Sequence, residues 1–311
     1  KQFMRRHGVA TAEFEVFDNR AAAQQMVEDL NGDLVIKFDG LAGGKGVYVC
    51  SNPEEARTAL DDLADAHGED ARFLIEQRLT GQEISLLGFT DGKHVQLLTP
   101  SQDHKQLLEG DKGPNTGGMG AFCPVPGCDE TLLAEIHETI IQPTIDGLVA
   151  DGLDYRGIVY FGVMVTPQGP RLLEYNVRLG DPETEVVLPK LKSSLADLVL
   201  ACFDGRLETL ELEFTPGYYV DVVLASGGYP GSYETGAPIH GLDSCHDVMV
   251  FHAGTRREGE QVLTAGGRVL NVVARGDDLS EAIARCYAGI EGIKFDNMYF
   301  RTDIGSRVWD V

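Results

Sequence analysis

The spacing of apolar residues divides the first part of the chain into short strands and amphipathic helices. Short apolar runs rich in branched residues predict strands, and apolar residues at helical spacing predict helices. The predicted strands span residues 34–37, 47–50 and 73–76, and the predicted helices span residues 21–30 and 53–67. A glycine-rich stretch, residues 40–46, joins the first two strands. This order of elements predicts a small α/β unit.

The remainder of the chain alternates strands with helices and then changes character. Strands are predicted at residues 83–90, 94–99, 158–165 and 172–177, and helices at residues 131–149, 193–203 and 280–290. Asp91-Gly92 between two apolar runs predicts a hairpin. Residues 100–120 contain few apolar positions and are predicted to form a long loop, which in a compact domain is usually functional. From about residue 215 the chain is rich in strands and glycine, so a domain boundary is expected near residue 214.

Composition narrows the class of protein. The chain has 311 residues, of which 43% are hydrophobic, enough for two or three domains. The net charge of −23 disfavours binding to nucleic acid or an acidic membrane, although one nucleotide can still bind through local cations. No run of 18 apolar residues occurs, and the six cysteines form no C-x-x-C pair. We therefore expect a cytoplasmic protein with reduced thiols and neither a membrane nor a nucleic-acid partner.

The glycine-rich stretch DGLAGGKG, residues 39–46, is a candidate phosphate-binding loop. It is not a Walker A motif, because three residues rather than four separate Gly40 from Gly44-Lys45 and no Ser or Thr follows. The backbone amides of such a loop can still surround an anion. Lys37 lies on the preceding buried strand, where an ammonium group needs an anionic partner. The alternative is a surface turn with a lysine that reaches solvent.

A second candidate is the strand LLEYNVR, residues 172–178. Strand alternation places Glu174, Asn176 and Arg178 on one face. A carboxylate and an amide oxygen suit magnesium, which completes its octahedron with water and phosphate oxygens, and a guanidinium group binds phosphoryl or carboxylate oxygens. The alternative is a solvated edge strand with an ion pair. Residues 180–183 are predicted to form a tight turn that presents two further carboxylates.

Polar residues and glycines also concentrate in the predicted long loop. SQDHK supplies Asp103, His104 and Lys105, and GPNTGGMG supplies Gly117, Gly118 and Gly120. Glycines remove side chains where a ligand must approach the backbone closely. His104 taken alone is more often structural than catalytic. Glu76 and Glu83 flank a turn, where a carboxylate either accepts hydrogen bonds from a ribose or is simply solvated.

The candidate residues are of three kinds: groups suited to bind phosphate, groups suited to bind a metal ion, and further carboxylates. No nucleophile elbow, Cys–His pair or zinc-ligand spacing occurs in the sequence. This set indicates catalysis by positioning and electrostatic stabilisation rather than through a covalent enzyme intermediate.

Taken together, these motifs resemble the glycinamide ribonucleotide synthetase family of ATP-grasp ligases, also called phosphoribosylamine–glycine ligases. The similar stretches are IKFDGLAGGKGVYV, EQRLTGQEIS, TPSQDHKQLLEGDKGPNTGGMGAFCP, LLEYNVRLGDPETEVVLP and MYFRTDIG. In order and spacing they cover nearly the whole chain. SQDHK followed by GPNTGGMGA is specific to this family, whereas the Glu-x-Asn-x-Arg strand is shared more widely among ATP-grasp ligases.

The resemblance implies a fold and a reaction. The implied fold is α/β (α+β) of the ATP-grasp type, with a central mixed-sheet domain over residues 1–11 and 81–214, a small α/β lid over residues 12–80 and a β-rich C-terminal domain over residues 215–311. The implied reaction joins glycine to 5-phosphoribosylamine through a glycyl phosphate. It gives glycinamide ribonucleotide, ADP and phosphate in de novo purine biosynthesis. ATP and magnesium or manganese are the implied cofactors, and a monomer or weak dimer is expected.

The same resemblance implies a role for each candidate residue. The nucleotide-binding residues are Lys37, Gly43, Gly44, Lys45, Glu76 and Glu83, with Glu76 by the adenine and Glu83 at the ribose. Glu174 and Asn176 resemble the metal ligands. Asp103, Arg178 and Asp181 resemble catalytic residues on the glycine side. Lys105, Gly117, Gly118 and Gly120 resemble the substrate-binding residues.

Two departures from the family pattern keep alternatives open. Phe38 stands before Asp-Gly where the family usually has a small residue, although Lys37 and Asp39 are retained. The first residues resemble the interior of a helix without an N-cap. We therefore expect the chain to lack the family's N-terminal domain, which shapes the phosphoribosylamine pocket. The alternative functions are a nucleotide-binding ATP-grasp fragment without turnover and another purine-pathway ATP-grasp ligase.

Overall fold

The computed structural model describes residues 1–40 and 46–306, which form two compact units. The first unit contains Lys1–Gln82 and Met164–Leu173. The second contains Glu83–Val163 and the described residues from Glu174 onward. Each unit has its own hydrophobic core.

The first unit is built on an antiparallel sheet of four strands. Its strands are β1 (Phe14–Phe17), β2 (Asp33–Phe38), β3 (Val47–Ser51) and β4 (Phe73–Gln77), and its helices are α1 (Gln2–Arg6), α2 (Arg20–Asp29) and α3 (Pro53–His67). The strand order is β1-β4-β2-β3. Helices α2 and α3 pack on the sheet and on each other, because Val27 and Leu60 share one buried cluster with Leu34, Ile36 and Ile75.

The bounds of α3 follow from its terminal residues. The Asn52 side chain accepts a hydrogen bond of 2.9 Å from the Glu55 amide, and Glu55 in turn accepts one of 2.8 Å from the Ser51 amide. These bonds satisfy amides that no helical carbonyl reaches. Pro53 occupies the first turn, where its missing N–H costs nothing, and Gly68 ends the helix with a positive φ of 99°.

The strands of the second unit form two larger sheets and two hairpins. From Gln82 onward the strands are β5 (Gln82–Thr90), β6 (Val95–Leu97), β7 (Gln102–Asp103), β8 (Gln106–Leu108), β9 (Lys112–Asn115), β10 (Gly120–Cys123), β11 (Gly157–Thr166), β12 (Gly169–Asn176), β13 (Tyr218–Ser226), β14 (Met249–His252), β15 (Thr255–Glu258), β16 (Gln261–Thr264), β17 (Arg268–Gly276) and β18 (Met298–Tyr299). One sheet runs β14-β17-β13-β10-β7 with β18 beside β13, and the other runs β12-β11-β5-β6. The hairpins are β8–β9 and β15–β16. The chain passes between the two units within β5, β11 and β12.

Helices cover these sheets. They are α4 (Glu130–Ile136), α5 (Gln142–Ala150), α6 (Glu183–Lys190), α7 (Leu195–Asp204) and α8 (Leu279–Ile290), with a π-helical turn at His137–Ile141 and 3₁₀ turns at Leu207–Thr209 and Leu242–Ser244. Helix α6 packs on β10, β13 and β17, and α8 packs on β13 and β17. Val186 and Val187 of α6 share a buried cluster with Ala121, Tyr219 and Val273 of the sheet.

The register of the larger sheet aligns a row of residues below α6. Asp103 on β7 pairs with Ala121 on β10, and Ala121 pairs with Asp221 on β13. Asp221 pairs in turn with Val273 on β17. Directly opposed residues point to the same face of a sheet, so both carboxylates lie on the face that α6 covers.

Most of the elements predicted from sequence are confirmed. The helices predicted at residues 21–30, 53–67, 193–203 and 280–290 correspond to α2, α3, α7 and α8 with ends shifted by at most two residues. The helix predicted at residues 131–149 corresponds to α4, the π-helical turn and α5 in succession. The hairpin at Asp91-Gly92 joins β5 to β6. The predicted domain boundaries at residues 11/12, 80/81 and 214/215 stay predictions.

Two stretches differ from the prediction. Residues 100–120 are not a plain loop, because they contain β7, β8, β9 and the start of β10. Strands β8 and β9 pair with each other. Strand β8 has two successive leucines and β9 is Lys-Gly-Pro-Asn, so neither shows the alternation of apolar and polar residues that predicts a strand. Helix α6 begins at Glu183, where only a turn was expected. The helix is not predicted from the sequence because Pro182 stands at its start and Pro189 lies inside it, and proline is unfavourable inside a helix.

The described residues, 1–40 and 46–306, contain no helix with the length and apolar character needed to cross a lipid bilayer.

Candidate active site

In the first unit, Glu76 is the centre of a small charged group. It lies on β4, is 2% exposed, and its carboxylate is 2.9 Å from Nζ of Lys37 and 3.1 Å from Nζ of Lys1. Lys37 pairs with Leu74 across the β2–β4 ladder, while Glu76 pairs with Val35, so the two charged residues are diagonal neighbours on one face. The buried strand lysine thus has the anionic partner that its burial requires.

The predicted phosphate-binding residues Gly43, Gly44 and Lys45 lie outside the described residues. Both ends of that stretch are described. Phe38 donates its amide to the Gly46 carbonyl at 2.9 Å. Its ring stacks on His67 at a centroid distance of 3.7 Å and fills the space in which a Cβ on Gly40 would lie, 2.4 Å away. Phe38 therefore packs between Gly40 and α3.

In the second unit, Lys105 joins two of the predicted carboxylates. Its ammonium group contacts the Glu83 carboxylate and lies 3.9 Å from Oε1 of Glu174. Burial acts to lower the pKa of Lys105, but interactions with Glu83, Tyr160 and Glu174 outweigh burial and raise it well above its usual value. Lys105 is therefore a permanent cation between two carboxylates.

The predicted metal ligands Glu174 and Asn176 lie on β12. Tyr175 between them serves the opposite face, where its hydroxyl bonds to Thr144 at 2.6 Å and its ring packs edge-on against Phe161. The Glu174 side chain is about half exposed. A carboxylate and an amide oxygen on one strand face fit magnesium, which takes few protein ligands when phosphate oxygens and water complete its shell. Among residues 1–40 and 46–306, no three His, Cys, Asp or Glu residues are grouped so as to hold a metal ion by themselves.

A buried hydrogen-bonded triangle fixes the start of α6 beside these residues. Oε1 of Glu183 accepts bonds from the Ser85 hydroxyl at 2.8 Å and the Tyr160 hydroxyl at 3.1 Å, and the two hydroxyls are 2.9 Å apart. A Cβ on Gly180 would lie 2.4 Å from Oε2 of Glu183. The sequence alone predicts Glu183 only as one of two carboxylates in a turn.

Asp103 lies next to the GPNTGGMG segment, residues 113–120, which is called the glycine-rich loop from here on. Burial raises its pKa well above the usual range, the Glu183 carboxylate raises it further, and the cations Lys105 and Arg268 oppose that shift. A Cβ on Gly118 would lie 2.7 Å from Oδ1 of Asp103 and 2.3 Å from Pro182. With its φ of 116°, the position of Gly118 admits only glycine.

The remaining predicted residues are connected in different ways. Asp181 lies 3.1 Å from Nη1 of Arg268, and the same nitrogen donates to the Gly117 carbonyl at 2.7 Å. Gly120 accepts a 2.9 Å bond from the His104 amide. Arg178 is exposed, and within the described part of the chain its guanidinium group donates to the adjacent Leu179 carbonyl and makes no ion pair. The structure thus groups Lys105 with Glu83 and Glu174, and the glycine-rich loop with Asp103 and Asp181.

Sequence reasoning missed Arg268 and the closing segment. The sequence signal for Arg268 is the Gly266-Gly267-Arg268 step before an apolar strand, which is weak in isolation. Arg301 is completely buried and binds Asp303 and Asp111, and His104 accepts a 3.3 Å bond from the Gly305 amide. From the sequence, the closing MYFRTDIG stretch is predicted only as a family motif, without a structural role.

The first unit holds the buried Lys37–Glu76 pair, and the second unit holds the Glu174-x-Asn176 strand beside Lys105. Residues 1–184 match the ATP-grasp (A) domain of phosphoribosylglycinamide synthetase, which assigns this part of the chain to the ATP-grasp class. Residues 219–307 match the C domain of the same enzyme family. The chain therefore belongs to the phosphoribosylglycinamide synthetase family.

Individual relatives agree with this assignment. The chain is 48% identical to the phosphoribosylamine–glycine ligase of Synechocystis sp. and 45% identical to that of Chlorobaculum tepidum, over 99% of this chain and 74% of each relative. The crystal structure of phosphoribosylamine–glycine ligase from Thermotoga maritima superposes with a TM-score of 0.88 at 34% identity, covering 97% of this chain and 76% of that one.

A more distant structure shares the fold alone. The biotin carboxylase domain of the 2-oxoglutarate carboxylase of Hydrogenobacter thermophilus, solved with the magnesium salt of ADP, has a TM-score of 0.70 at 16% identity. It covers 96% of this chain and 66% of that one.

Proposed function

We propose that the chain catalyses the ATP-dependent ligation of glycine to 5-phosphoribosylamine, giving glycinamide ribonucleotide, ADP and phosphate in de novo purine biosynthesis. The observation that carries this proposal is that the chain matches both the A domain and the C domain of one ligase family. Identity of 48% to a ligase of that name extends over nearly the whole chain. The substrates are then small molecules, with neither nucleic acid nor a membrane as a partner, and the reaction is expected in the cytoplasm.

In this proposal the nucleotide-binding residues are those that the family resemblance implies. Lys37, Gly43, Gly44 and Lys45 bind the phosphates of ATP, Glu76 lies by the adenine and Glu83 by the ribose. Residues 12–80 serve as the lid, residues 1–11 with 81–214 as the central domain, and residues 215–311 as the C-terminal domain. The pairing of Lys37 with the buried Glu76 supports the assignment. It fixes a cation on the strand that directly precedes the candidate phosphate-binding stretch, residues 39–46, in the sequence.

Glu174 and Asn176 are proposed to hold magnesium or manganese. The ion would offset the charge on the phosphoryl group that moves from ATP. Lys105, which burial does not neutralise because Glu83 and Glu174 lie beside it, adds a second positive charge there. Both effects stabilise developing negative charge electrostatically, without a covalent bond to the enzyme.

The chemistry balances in two steps. A glycine carboxylate oxygen attacks the terminal phosphorus of ATP, ADP leaves, and a mixed anhydride forms. The amine nitrogen of phosphoribosylamine then attacks the carbonyl carbon, phosphate leaves, and the nitrogen loses a proton as the amide forms. Asp103, Arg178 and Asp181 are proposed to orient the glycine, and Gly117, Gly118 and Gly120 to admit the substrates close to the backbone.

The test is ADP release by the purified chain in the presence of magnesium. Release that requires both glycine and phosphoribosylamine, with glycinamide ribonucleotide as the product, supports the proposal. Release with a different amine acceptor would assign the chain to another purine-pathway ligase. Tight ATP binding without turnover under any of these conditions would leave only the nucleotide-binding function.

A further inference from the structure

Arg268 is an unassigned residue that reaches the glycine-rich loop from the C-terminal part of the chain. It is the first residue of β17 and lies in the segment that matches the C domain. Its side chain is 20% exposed, so it is largely enclosed. A guanidinium group in such a place needs several acceptors to offset its loss of water.

Those acceptors come from two separate stretches. Nη1 donates to the carbonyl of Gly117 at 2.7 Å and to that of Asp181 at 2.8 Å, and the Gly118 carbonyl lies 3.5 Å away. The same nitrogen forms the 3.1 Å ion pair with the Asp181 carboxylate. One side chain thus links the glycine-rich loop to the turn that precedes α6.

Tyr229 binds the backbone amide of Gly117, the residue whose carbonyl accepts from Arg268. Its hydroxyl accepts a 2.9 Å hydrogen bond from the Gly117 amide. A Cβ on Gly117 would lie 2.9 Å from Cζ of Arg268, and one on Gly267 would lie 2.3 Å from the Tyr229 ring. Both glycines are therefore needed for the Arg268 and Tyr229 side chains to approach the loop this closely.

The guanidinium group also sets the charge balance below the loop. It lowers the pKa of Asp103, Glu185 and Asp221, although burial is the largest influence on each and the net shift of all three is upward. Removing Arg268 therefore takes away hydrogen bonds to the loop and a positive charge from an acidic region.

We propose that Arg268 and Tyr229 form a clamp, by which the C-terminal part of the chain positions the Gly117–Gly118 backbone against Asp181. The positioned backbone serves the two acceptor substrates, glycine for the phosphoryl group and the amine for the acyl group. The positioning of substrates rests on the proposed function, whereas the ordering of the loop does not. Arg268 and Tyr229 are positioning residues, since each acts through the backbone of the glycine-rich loop. Loop order therefore depends on a domain distant in the sequence.

The first test measures loop order in the protein without ligands. Amide hydrogen exchange is followed for peptides covering residues 113–121 in wild type, Arg268→Gln and Tyr229→Phe. We expect exchange at Gly117 and Gly118 to accelerate by about tenfold or more in both variants, because the loop loses an anchor while the sheet below remains folded. Arg275→Gln is the matched control, because Arg275 lies on the same strand and bonds instead to Pro216 and Asp277. Unchanged loop exchange in both clamp variants would overturn the proposal.

The second test divides the kinetic effect between substrates. In Arg268→Gln we expect kcat/KM for glycine and for the amine to fall by about tenfold to a hundredfold. A fall of this size corresponds to the loss of one or two charge-assisted hydrogen bonds. KM for ATP should change by less than about twofold, because the clamp lies on the acceptor side. An equal loss toward all three substrates would contradict positioning. If the wild type shows no turnover, the proposed function fails while the exchange test still decides whether the clamp exists.

Discussion

Arg301 and Asp303 form a two-point ion pair near the end of the described chain, with Nε 2.7 Å from Oδ1 and Nη2 2.8 Å from Oδ2. Arg301 also donates to the Gln106 carbonyl at 2.9 Å, and Asp303 accepts a 2.9 Å bond from the Gly110 amide. These bonds connect the closing segment to the β8–β9 hairpin. The long polar stretch that ends in the glycine-rich loop is thus ordered partly by residues almost two hundred positions later in the sequence.

Removing Arg301 should be strongly destabilising. Arg301 is completely buried, so Arg301→Met leaves the carboxylates of Asp303 and Asp111 without their cation. We expect the free energy of unfolding to fall by about 3–5 kcal/mol, measured by urea denaturation at pH 7. The control is Arg256→Met, whose pair with Glu258 is exposed and should contribute less than about 1 kcal/mol. Equal losses in the two variants would show that burial of the pair is unimportant.

His104 should make stability depend on pH in the mildly acidic range. Burial and, after it, the positive charge of the nearby Arg301 lower the pKa of His104 to about 4. An unfolded histidine titrates near about 6.5, so as the pH falls below that value the unfolded state binds a proton first and stability decreases until about pH 4. The stability that His104 contributes is therefore fully present above pH 6.5 and is lost toward pH 4.

The measurement compares urea midpoints at pH 7.5 and pH 5 for wild type and His104→Gln. The His104 ring lies 3.3 Å from the Gly120 carbonyl through Nδ1 and accepts from the Gly305 amide through Nε2. Glutamine has one donor and one acceptor for these two groups but cannot titrate. We expect the wild type to lose more stability between the two pH values than the variant does. His240→Gln, at an exposed site, should follow the wild type. If His104→Gln retains the full pH dependence, the titrating group lies elsewhere.

Glu174→Ala should abolish most turnover while leaving the fold intact. The Glu174 side chain is about half exposed, and its nearest cation, Nζ of Lys105, keeps Glu83 as a partner in the variant. We expect magnesium-dependent kcat to fall by at least about tenfold because the carboxylate ligand is lost. The thermal midpoint without ligand should change little. Glu213→Ala, another exposed ion-paired glutamate, is the control and should retain activity. Unfolding of Glu174→Ala in the absence of ligand would make Glu174 structural.

How far the sequence predicts the site depends on the range of the interaction. Glu174 and Asn176 could be placed on one face because strand alternation is a local rule, and the hairpin at Asp91-Gly92 follows from two residues. Arg268 could not be placed, because its contact with Gly117 joins residues 151 positions apart and depends on how separate strands pair. The same holds for the bond between Ser85 and Glu183, 98 positions apart. Long-range pairing is where residue patterns carry least information.

Asp221 provides the last prediction, because it is a carboxylate in a site suited to an apolar residue. It is 0% exposed, lies between Ala121 and Val273 in the sheet, and both its oxygens lack a hydrogen-bond partner among the described residues. Burial raises its pKa well above the usual range, and Glu185 and Asp181 raise it further. Stability from such a group is greatest below its unfolded pKa and decreases as pH rises through the folded value.

Asp221→Val should therefore stabilise the protein. Valine suits a buried strand position and removes the cost of burying unpaired polar atoms, so we expect a gain of about 1–3 kcal/mol at pH 8 in urea denaturation. The gain should be smaller at pH 5, where the wild-type carboxyl is more fully protonated. Asp221→Asn, which cannot ionise but stays polar, should recover the pH-dependent part alone. A loss of stability in Asp221→Val at both pH values would mean that Asp221 has a bound partner in solution, such as ordered water, whose hydrogen bonds outweigh the cost of its burial.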